Sequence, residues 1–268
     1  WQRTAPKDTV RPDSQAIQIL DASGKLVRTL KQVPTAGVNR IWWDLRFEPS
    51  REARIRTSPQ LASWMPVRLE GMPAPGVGRF SMLAPPGRYT VRLTAGGQTY
   101  EQPLTVLKDP NTGAGDEDLQ AQVGLVGDVV ADLDSTVAMI NRIEVLRAQL
   151  ASLRATLAGD STVADVRAAA DSLDRKLVAA EEHLFQMRVT GRGQDLLRWP
   201  MRLAEQLLYL AQSVTSSDFA PTGPQREVHQ LLSGQVRENR TRLDQLMAGD
   251  VAAFRQFLRA RNLPNAIM

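Results

Sequence analysis

The hydrophobic residues of this chain change their spacing near residue 115, and that change constrains the fold more than any other feature. Before it, apolar and polar residues alternate, as at Tyr89, Val91 and Leu93, which is the period of a strand with one buried face. After it, apolar residues recur every three or four positions over 119–140, the period of an amphipathic helix in a bundle. The sequence therefore predicts an α+β chain of two domains.

The predicted first domain is an immunoglobulin-like antiparallel β-sandwich over 14–109, preceded by an extended arm or linker over 1–13. Short strands separated by turns that contain Gly and Pro are typical of such sandwiches. A strand rich in β-branched and aromatic residues is predicted over 40–47, with one tryptophan facing the core. The proline-rich segment 48–86 is much longer than ordinary loops. It is predicted to be a long loop inserted in the sandwich.

The predicted second domain, over 116–268, is an antiparallel helical bundle of four long helices and a short terminal helix. Three acidic residues over 116–118 suit the positive N-terminal end of the first helix. Short connections between successive helices favour antiparallel neighbours. The helices are predicted to run from Asp116 to Leu157, from Ser161 or Thr162 to the break at Gly191, from Leu196 to Val214, from about Gln225 to Met247, and from Asp250 to Arg261.

The charge of the chain is unevenly distributed. Residues 1–115 carry 16 basic and 9 acidic side chains, whereas residues 116–268 carry 17 basic and 20 acidic ones. The basic residues are scattered through alternating strands and do not form the aromatic-interleaved stripe of a nucleic-acid surface. We therefore expect no nucleic-acid partner. No apolar run reaches the length of a membrane span, and no signal peptide is visible at the start of the sequence.

The residues that carry most enzyme chemistry are sparse. There is no cysteine, and the two histidines, His183 and His229, are far apart in helical patterns, so solvated helix positions are the simplest interpretation. No nucleophile elbow, phosphate loop, dinucleotide fingerprint or calcium-loop spacing occurs. Asp21 and Asp44 fall in a turn and at a strand edge, where carboxylates usually accept backbone hydrogen bonds. We predict no enzyme activity, no catalytic residue, no metal and no cofactor.

The segment 48–86 holds the candidate partner-binding residues, which are Arg51, Arg54, Arg56 and Trp64. Arginine and tryptophan dominate the energetics of protein interfaces when they are desolvated. The sequence thus suggests a loop that docks on a protein partner. In the alternative interpretation Trp64 folds back on the sandwich while the arginines stay in water.

Several short motifs resemble a known family. They lie in the order ILDASGKLVRTL at 19–30, GVN at 37–39, WDLR at 43–46, PGRYTVRL at 86–93, LRWP at 197–200 and APT at 220–222. The β part resembles the Ig-like domain of flagellar hook-capping proteins, with Asp21, Gly24, Trp43, Asp44, Gly87 and Tyr89 as its signature. The whole arrangement resembles the C-terminal region of bacterial sortilin-like, BNR-repeat propeller proteins.

This resemblance implies an exported protein, periplasmic or secreted, and a blade-like repeat is absent from this sequence. The first functional hypothesis is a non-catalytic scaffold or accessory subunit that stabilises a larger periplasmic or membrane-associated complex through protein partners. Two alternatives remain. One is an accessory domain of a propeller-type, glycosyl-hydrolase-like protein. The other is a carbohydrate-binding sandwich that would expose Trp42, Trp43 or Trp64 as a sugar platform.

Overall fold

The protein is α+β and forms two compact units. The computed structural model describes residues 15–65, 67, 70–190 and 194–263; the predicted arm over 1–13 lies outside them. The β unit consists of the described residues up to Pro49 together with Ser81–Gln120. The helical unit consists of Ser50–Phe80 together with the described residues from Ala121 onward.

The β unit contains one antiparallel sheet of four strands. The strands are β1 (Gln15–Asp21), β2 (Leu26–Gln32), β5 (Gly87–Ala95) and β6 (Gln98–Val106), in the order β2-β1-β5-β6. One face of this sheet buries Ile19, Val27 and Tyr89. The rest of that core comes from Ala84, from side chains of the 43–47 loop and from further residues of the four strands. A second packed sheet, which a sandwich requires, is not seen among the described residues of this unit.

The predicted strand over 40–47 is wrong. Only Arg46 makes a strand-like bridge, to Leu83, and the rest of this segment is irregular. The side chains explain why, because Trp42 is 80% exposed whereas the indole nitrogen of Trp43 donates to the carbonyl of Arg46 at 2.9 Å. A single tryptophan thus enters the core from a loop, which strand propensity alone does not reveal.

The helical unit contains helices at each predicted place. They are α1 (Asp116–Thr156), which begins in the β unit, α2 (Ala164–Glu181), the single turn α3 (Asp195–Arg198), α4 (Leu203–Val214), α5 (Gly223–Leu246) and α6 (Ala252–Ala260). A π-helical turn, Met247–Val251, joins α5 to α6. The predicted third helix, from Leu196 to Val214, is divided into α3 and α4 because Pro200 forces Trp199 into an extended conformation. The second helix stops at Glu181, ten residues before Gly191.

The segment Ser50–Phe80, called the strap below, packs with the helices instead of with the sheet. It contains a short two-stranded ladder of β3 (Arg54–Ile55) and β4 (Met72–Pro73) and a turn of 3₁₀ helix over Gln60–Ala62. Ala53, Ile55, Val77 and Phe80 are buried. The strap is therefore part of the helical core, whereas the sequence patterns had attached it to the sandwich as a loop.

Candidate functional site

The first part of the strap is bound along α1 by hydrogen bonds between its backbone and helix side chains. The amide of Arg51 donates to Asp134 at 2.6 Å, and the amide of Arg54 donates to Asn141 at 2.8 Å. The side-chain Nδ2 of Asn141 donates back to the backbone carbonyl of Glu52 at 3.0 Å. An extended segment leaves its backbone groups unpaired, and these side chains satisfy them in place of a neighbouring strand.

The spacing of the two partners explains the fit. Residues 134–144 rise about 15 Å along a helix, and residues 51–56 cover about 17 Å when extended. Extended chain and helix therefore stay in register over this distance when they run in the same direction. Asp134, Asn141 and Glu144 are spaced by seven and three residues, which places them on one side of α1. This polar row is a sequence signal that the hydrophobic pattern did not reveal.

Glu144 holds the end of this row. Its Oε2 accepts the amides of Arg56 and Thr57, the second at 2.8 Å, and its Oε1 accepts the Thr57 hydroxyl at 2.9 Å. The same Oε1 accepts Nη1 of Arg147 at 2.7 Å. Only 1% of the Glu144 side chain is exposed. A carboxylate buried to this degree is stable only because both oxygens carry donors.

Arg147 links this carboxylate to α2. Its Nη1 also lies 2.7 Å from Glu181, and its Nε lies 3.2 Å from Asp174. Burial and, after it, the charge of Glu144 raise the pKa of the Glu181 carboxyl well above its ordinary value. Within the described part of the chain, Oε1 of Glu181 has no hydrogen-bond partner. Three carboxylates around one guanidinium thus leave Glu181 poorly stabilised as an anion.

Two neighbouring carboxyl groups, one of them with a raised pKa, are a pattern of glycosidase sites, but their surroundings differ here. A glycosidase needs both groups at a cleft that admits the sugar. Glu181 is fully buried, and the oxygens of Glu144 are occupied by the strap and Arg147. A cavity of about 350 Å³ is lined by Glu144 and Arg147 together with residues that include Ile55, Phe185 and Val189. We call the cluster of Glu144, Arg147, Asp174 and Glu181 the clamp, because it holds the strap. It leaves no free carboxylate oxygen on Glu144 to act on a ligand.

The sequence-predicted partner residues occupy the strap, and their backbone does most of the binding within the chain. The guanidinium of Arg54 pairs with Glu52 at 2.6 Å, and Nη1 of Arg56 donates to the carbonyl of Arg54 at 3.2 Å. Arg51 is exposed. Trp64 is 68% exposed, so it does not fold back into a core. The structure aligns the three arginines on α1 and leaves Trp64 apart from that row.

The signature residues of the β unit have structural roles. Asp21 accepts the amides of Ser23 at 2.8 Å and Lys25 at 3.0 Å, and these bonds lower the pKa of its carboxyl, with the Ser23 side chain as the largest cause. Gly24 completes this turn at a φ of 81°, a value that favours glycine. Asp44 similarly accepts the amide of Arg46 at 3.2 Å.

The remaining signature residues surround the core tryptophan. The rings of Trp43 and Tyr89 meet edge to face at 5.5 Å, a favourable geometry for aromatic pairs. The hydroxyl of Tyr89 donates to the carbonyl of Pro85 at 2.6 Å, and Gly87 begins β5 between them. These contacts fix the entry into β5.

The two histidines remain separate. Nε2 of His229 lies 3.0 Å from Asp132, which ties α5 to α1, and His183 is exposed in the turns after α2. Neither histidine belongs to the clamp.

A second surface, the α4–α5 groove, was not found from the sequence. It is a depression of about 440 Å³ between these two helices. Its apolar lining consists of Met201, Tyr209, Leu210, Pro224, Val228, Leu231 and Leu232, and its polar lining of Gln206, Ser213, Gln225 and Gln235. Tyr209 is 62% exposed and Leu231 is 64% exposed. Large apolar side chains clustered at one surface groove mark interaction sites.

No protein-family model, no curated protein and no solved structure matches the chain. Among the described residues, no helix combines the length and the apolar content that crossing a bilayer requires.

Proposed function

We propose that this protein is a non-catalytic interaction module, a scaffold or accessory subunit that stabilises a larger periplasmic or membrane-associated assembly. The observation that carries the proposal is the α4–α5 groove. Its lining contains exposed apolar side chains and, among the described residues, no charged one. Contact with another apolar surface removes such side chains from water, which lowers the free energy of the system.

The clamp supports the non-catalytic part of the proposal. Its two buried carboxylates and its guanidinium are used to hold the strap against α1 and α2. A buried charged network that needs all of its partners in place favours one specific arrangement of the chain. The clamp thus fixes the strap, α1 and α2 relative to one another, as a rigid scaffold requires.

The resemblance to the C-terminal region of sortilin-like propeller proteins supports the location outside the cytoplasm. The hydrogen bond from Tyr89 to Pro85 is similar to the tyrosine corner of immunoglobulin-like domains, in which a tyrosine hydroxyl bonds the backbone a few residues upstream. We keep the Ig-like assignment of the β unit as part of this proposal.

Site-specific photo-crosslinking tests the interaction function. A photoreactive amino acid in place of Tyr209, in the groove, should give discrete cross-linked products in the native cell envelope. The matched control carries the same amino acid at Gln230, which is exposed on α5 and outside the groove lining. Identical product patterns from both positions would contradict the proposal.

One observation favours a second candidate function. Trp42 is 80% exposed, with the guanidinium of Arg40 at 6.0 Å from its ring centre, and an open indole is the platform that sugar rings stack on. Titration with polysaccharides should quench tryptophan fluorescence in the wild-type chain and not in Trp42→Ala. Unchanged fluorescence in the wild-type chain would eliminate the carbohydrate-binding alternative at this residue.

A further inference from the structure

We propose that the α4–α5 groove pairs with the same groove of a second copy of this chain, forming a two-fold symmetric dimer. This inference rests on the proposed interaction function and names the partner of that surface. It is carried by the absence of charge in the lining and by the spacing of the α5 residues.

The charge of the lining makes the surface complementary to itself. Two identical surfaces that meet around a two-fold axis place like charges close to one another whenever the surface is charged. The groove avoids this repulsion because the polar groups of its described lining are all neutral, namely two glutamines on α5, one glutamine on α4 and a serine hydroxyl. Amides and hydroxyls can donate and accept, so each can pair with its own kind.

The spacing on α5 has the same symmetry. Six residues of α5 line the groove. Four of them, Pro224, Val228, Leu231 and Gln235, have intervals of four, three and four residues, a pattern that reads the same in both directions, while Gln225 and Leu232 lie outside this pattern. An antiparallel second copy of α5 therefore places Val228 opposite Leu231 of the partner subunit, and the reverse contact follows from the symmetry. The two exposed apolar side chains of each helix then meet at the axis.

α4 lies where it can widen this contact. Nε2 of Gln225 lies 3.3 Å from the hydroxyl of Ser213, and α4 and α5 are joined by a short connection that makes them antiparallel. Tyr209, four residues before Ser213, is consequently level with residue 229, at the centre of the α5 stripe. Its exposed ring flanks the axis and supplies the large aromatic contact that interfaces favour.

The small size of the surface leads us to expect a weak dimer. α4 is 12 residues long, so a pair of stacked helix hairpins buries on the order of 1,000 Å², at the lower limit of specific interfaces. A dimer of micromolar affinity is expected, and it must be sought at high protein concentration. At about 200 µM, light scattering should give twice the chain mass of 29.6 kDa.

The chain contains no cysteine, so introduced cysteines report the register directly. An equimolar mixture of Val228→Cys and Leu231→Cys should form disulfide dimers about tenfold faster than either variant alone, because only the mixed pair brings the two Cα atoms within disulfide range. Faster cross-linking of either variant with itself would overturn the proposed pairing.

Leu231→Glu should weaken the dimer about a hundredfold, because it places two carboxylates beside the axis. Gln230→Glu adds the same charge outside the groove lining and should leave the dimer unchanged. A wild-type chain that stays monomeric at about 200 µM overturns self-pairing. If photo-crosslinking at Tyr209 then captures a different protein, the interaction function stands without self-pairing, whereas no product at Tyr209 removes both.

Discussion

Arg147 faces three carboxylates, one on its own helix and two on α2. Taking such charges out of water costs several kcal/mol per ion, and the mutual attraction offsets this cost only while all partners are present. The cluster thus adds little net stability, and its main effect is to favour the one arrangement in which all of its partners are present. The strap, α1 and α2 must be in place together for the buried charges to be satisfied.

Replacing Arg147 by Met should destabilise the protein by about 3–5 kcal/mol, because Glu144 and Glu181 would stay buried without a counter-ion. Urea unfolding followed by circular dichroism measures this change. Arg142→Met is the matched control on the same helix, where the pair with Asp244 is mostly exposed and 3.7 Å long, and it should change stability by less than about 1 kcal/mol. Equal losses in both variants would show that the cluster has no special role.

The raised pKa of Glu181 predicts a pH dependence of stability. In the unfolded chain this carboxyl loses its proton near its ordinary pKa of 4.5, and in the folded protein it loses it at higher pH because it is buried. Between the two pKa values the folded state holds the additional proton. Raising the pH through this window therefore lowers the free energy of unfolding, by up to about 1.4 kcal/mol per pH unit. Below pH 4.5 the effect vanishes.

Glu181→Gln removes this titration. The free energy of unfolding of the variant, relative to wild type, should rise with pH across the window above 4.5 and then level off. Burial also raises the pKa of Glu205, but that contribution is common to both proteins and cancels in the difference. Glu182→Gln, at an exposed neighbouring position, should show no such slope. A flat difference for Glu181→Gln would refute the account.

At the scale of elements, the strap ladder depends on a glycine. Gly71 has a φ of 78°, and a Cβ there would lie 2.9 Å from the carbonyl oxygen of Ile55. Gly71→Ala should cost about 2 kcal/mol through backbone strain and this clash. In Gly78→Ala, also in the strap, the nearest atom lies 3.8 Å away on Leu208, so the cost should be smaller than about 1 kcal/mol. Chemical denaturation compares the two; a milder effect at Gly71 than at Gly78 would contradict the argument.

Elements whose signal is local could be predicted from the sequence, and elements whose partner is distant could not. The apolar period of α1 predicted an end at Leu157, and the helix ends at Thr156, because apolar residues recur every three or four positions over this whole length. The position of the strap on the helices could not be predicted, because its backbone is paired with Asp134 and Asn141, more than 80 residues later. The same holds for the clamp, since nothing near Glu144 in sequence indicates that Glu181 lies beside Arg147.

At the scale of the whole molecule, the helical unit is discontinuous in sequence. The chain leaves the β unit after Pro49, returns to it at Ser81 and leaves it again after Gln120. Both compact units thus need segments that are distant in sequence. The change in hydrophobic spacing near residue 115 therefore does not divide the chain into two independent pieces. A fragment that starts at Asp116 would lack the strap and expose the polar row of α1.

Removing the strap from the full chain tests this interdependence. The amide of Phe47 donates to the carbonyl of Met82 at 3.0 Å, and Arg46 bridges Leu83, so the two ends of the excised segment already lie together in the β unit. A short glycine linker from Pro49 to Ser81 should therefore leave the sheet folded.

The helical unit should respond differently, because Glu144 and Asn141 would lose their strap donors and the apolar contacts of Ile55 and Phe80 would be lost. Amide hydrogen exchange resolves the two units. We expect exchange in α1 and α2 to accelerate by at least about tenfold, as a loss of 1.4 kcal/mol or more requires, while β1 and β5 stay protected. Equal acceleration of exchange in the sheet and in the helices would mean that the strap stabilises both units. Unchanged exchange in the helices would mean that the strap does not stabilise the helical unit.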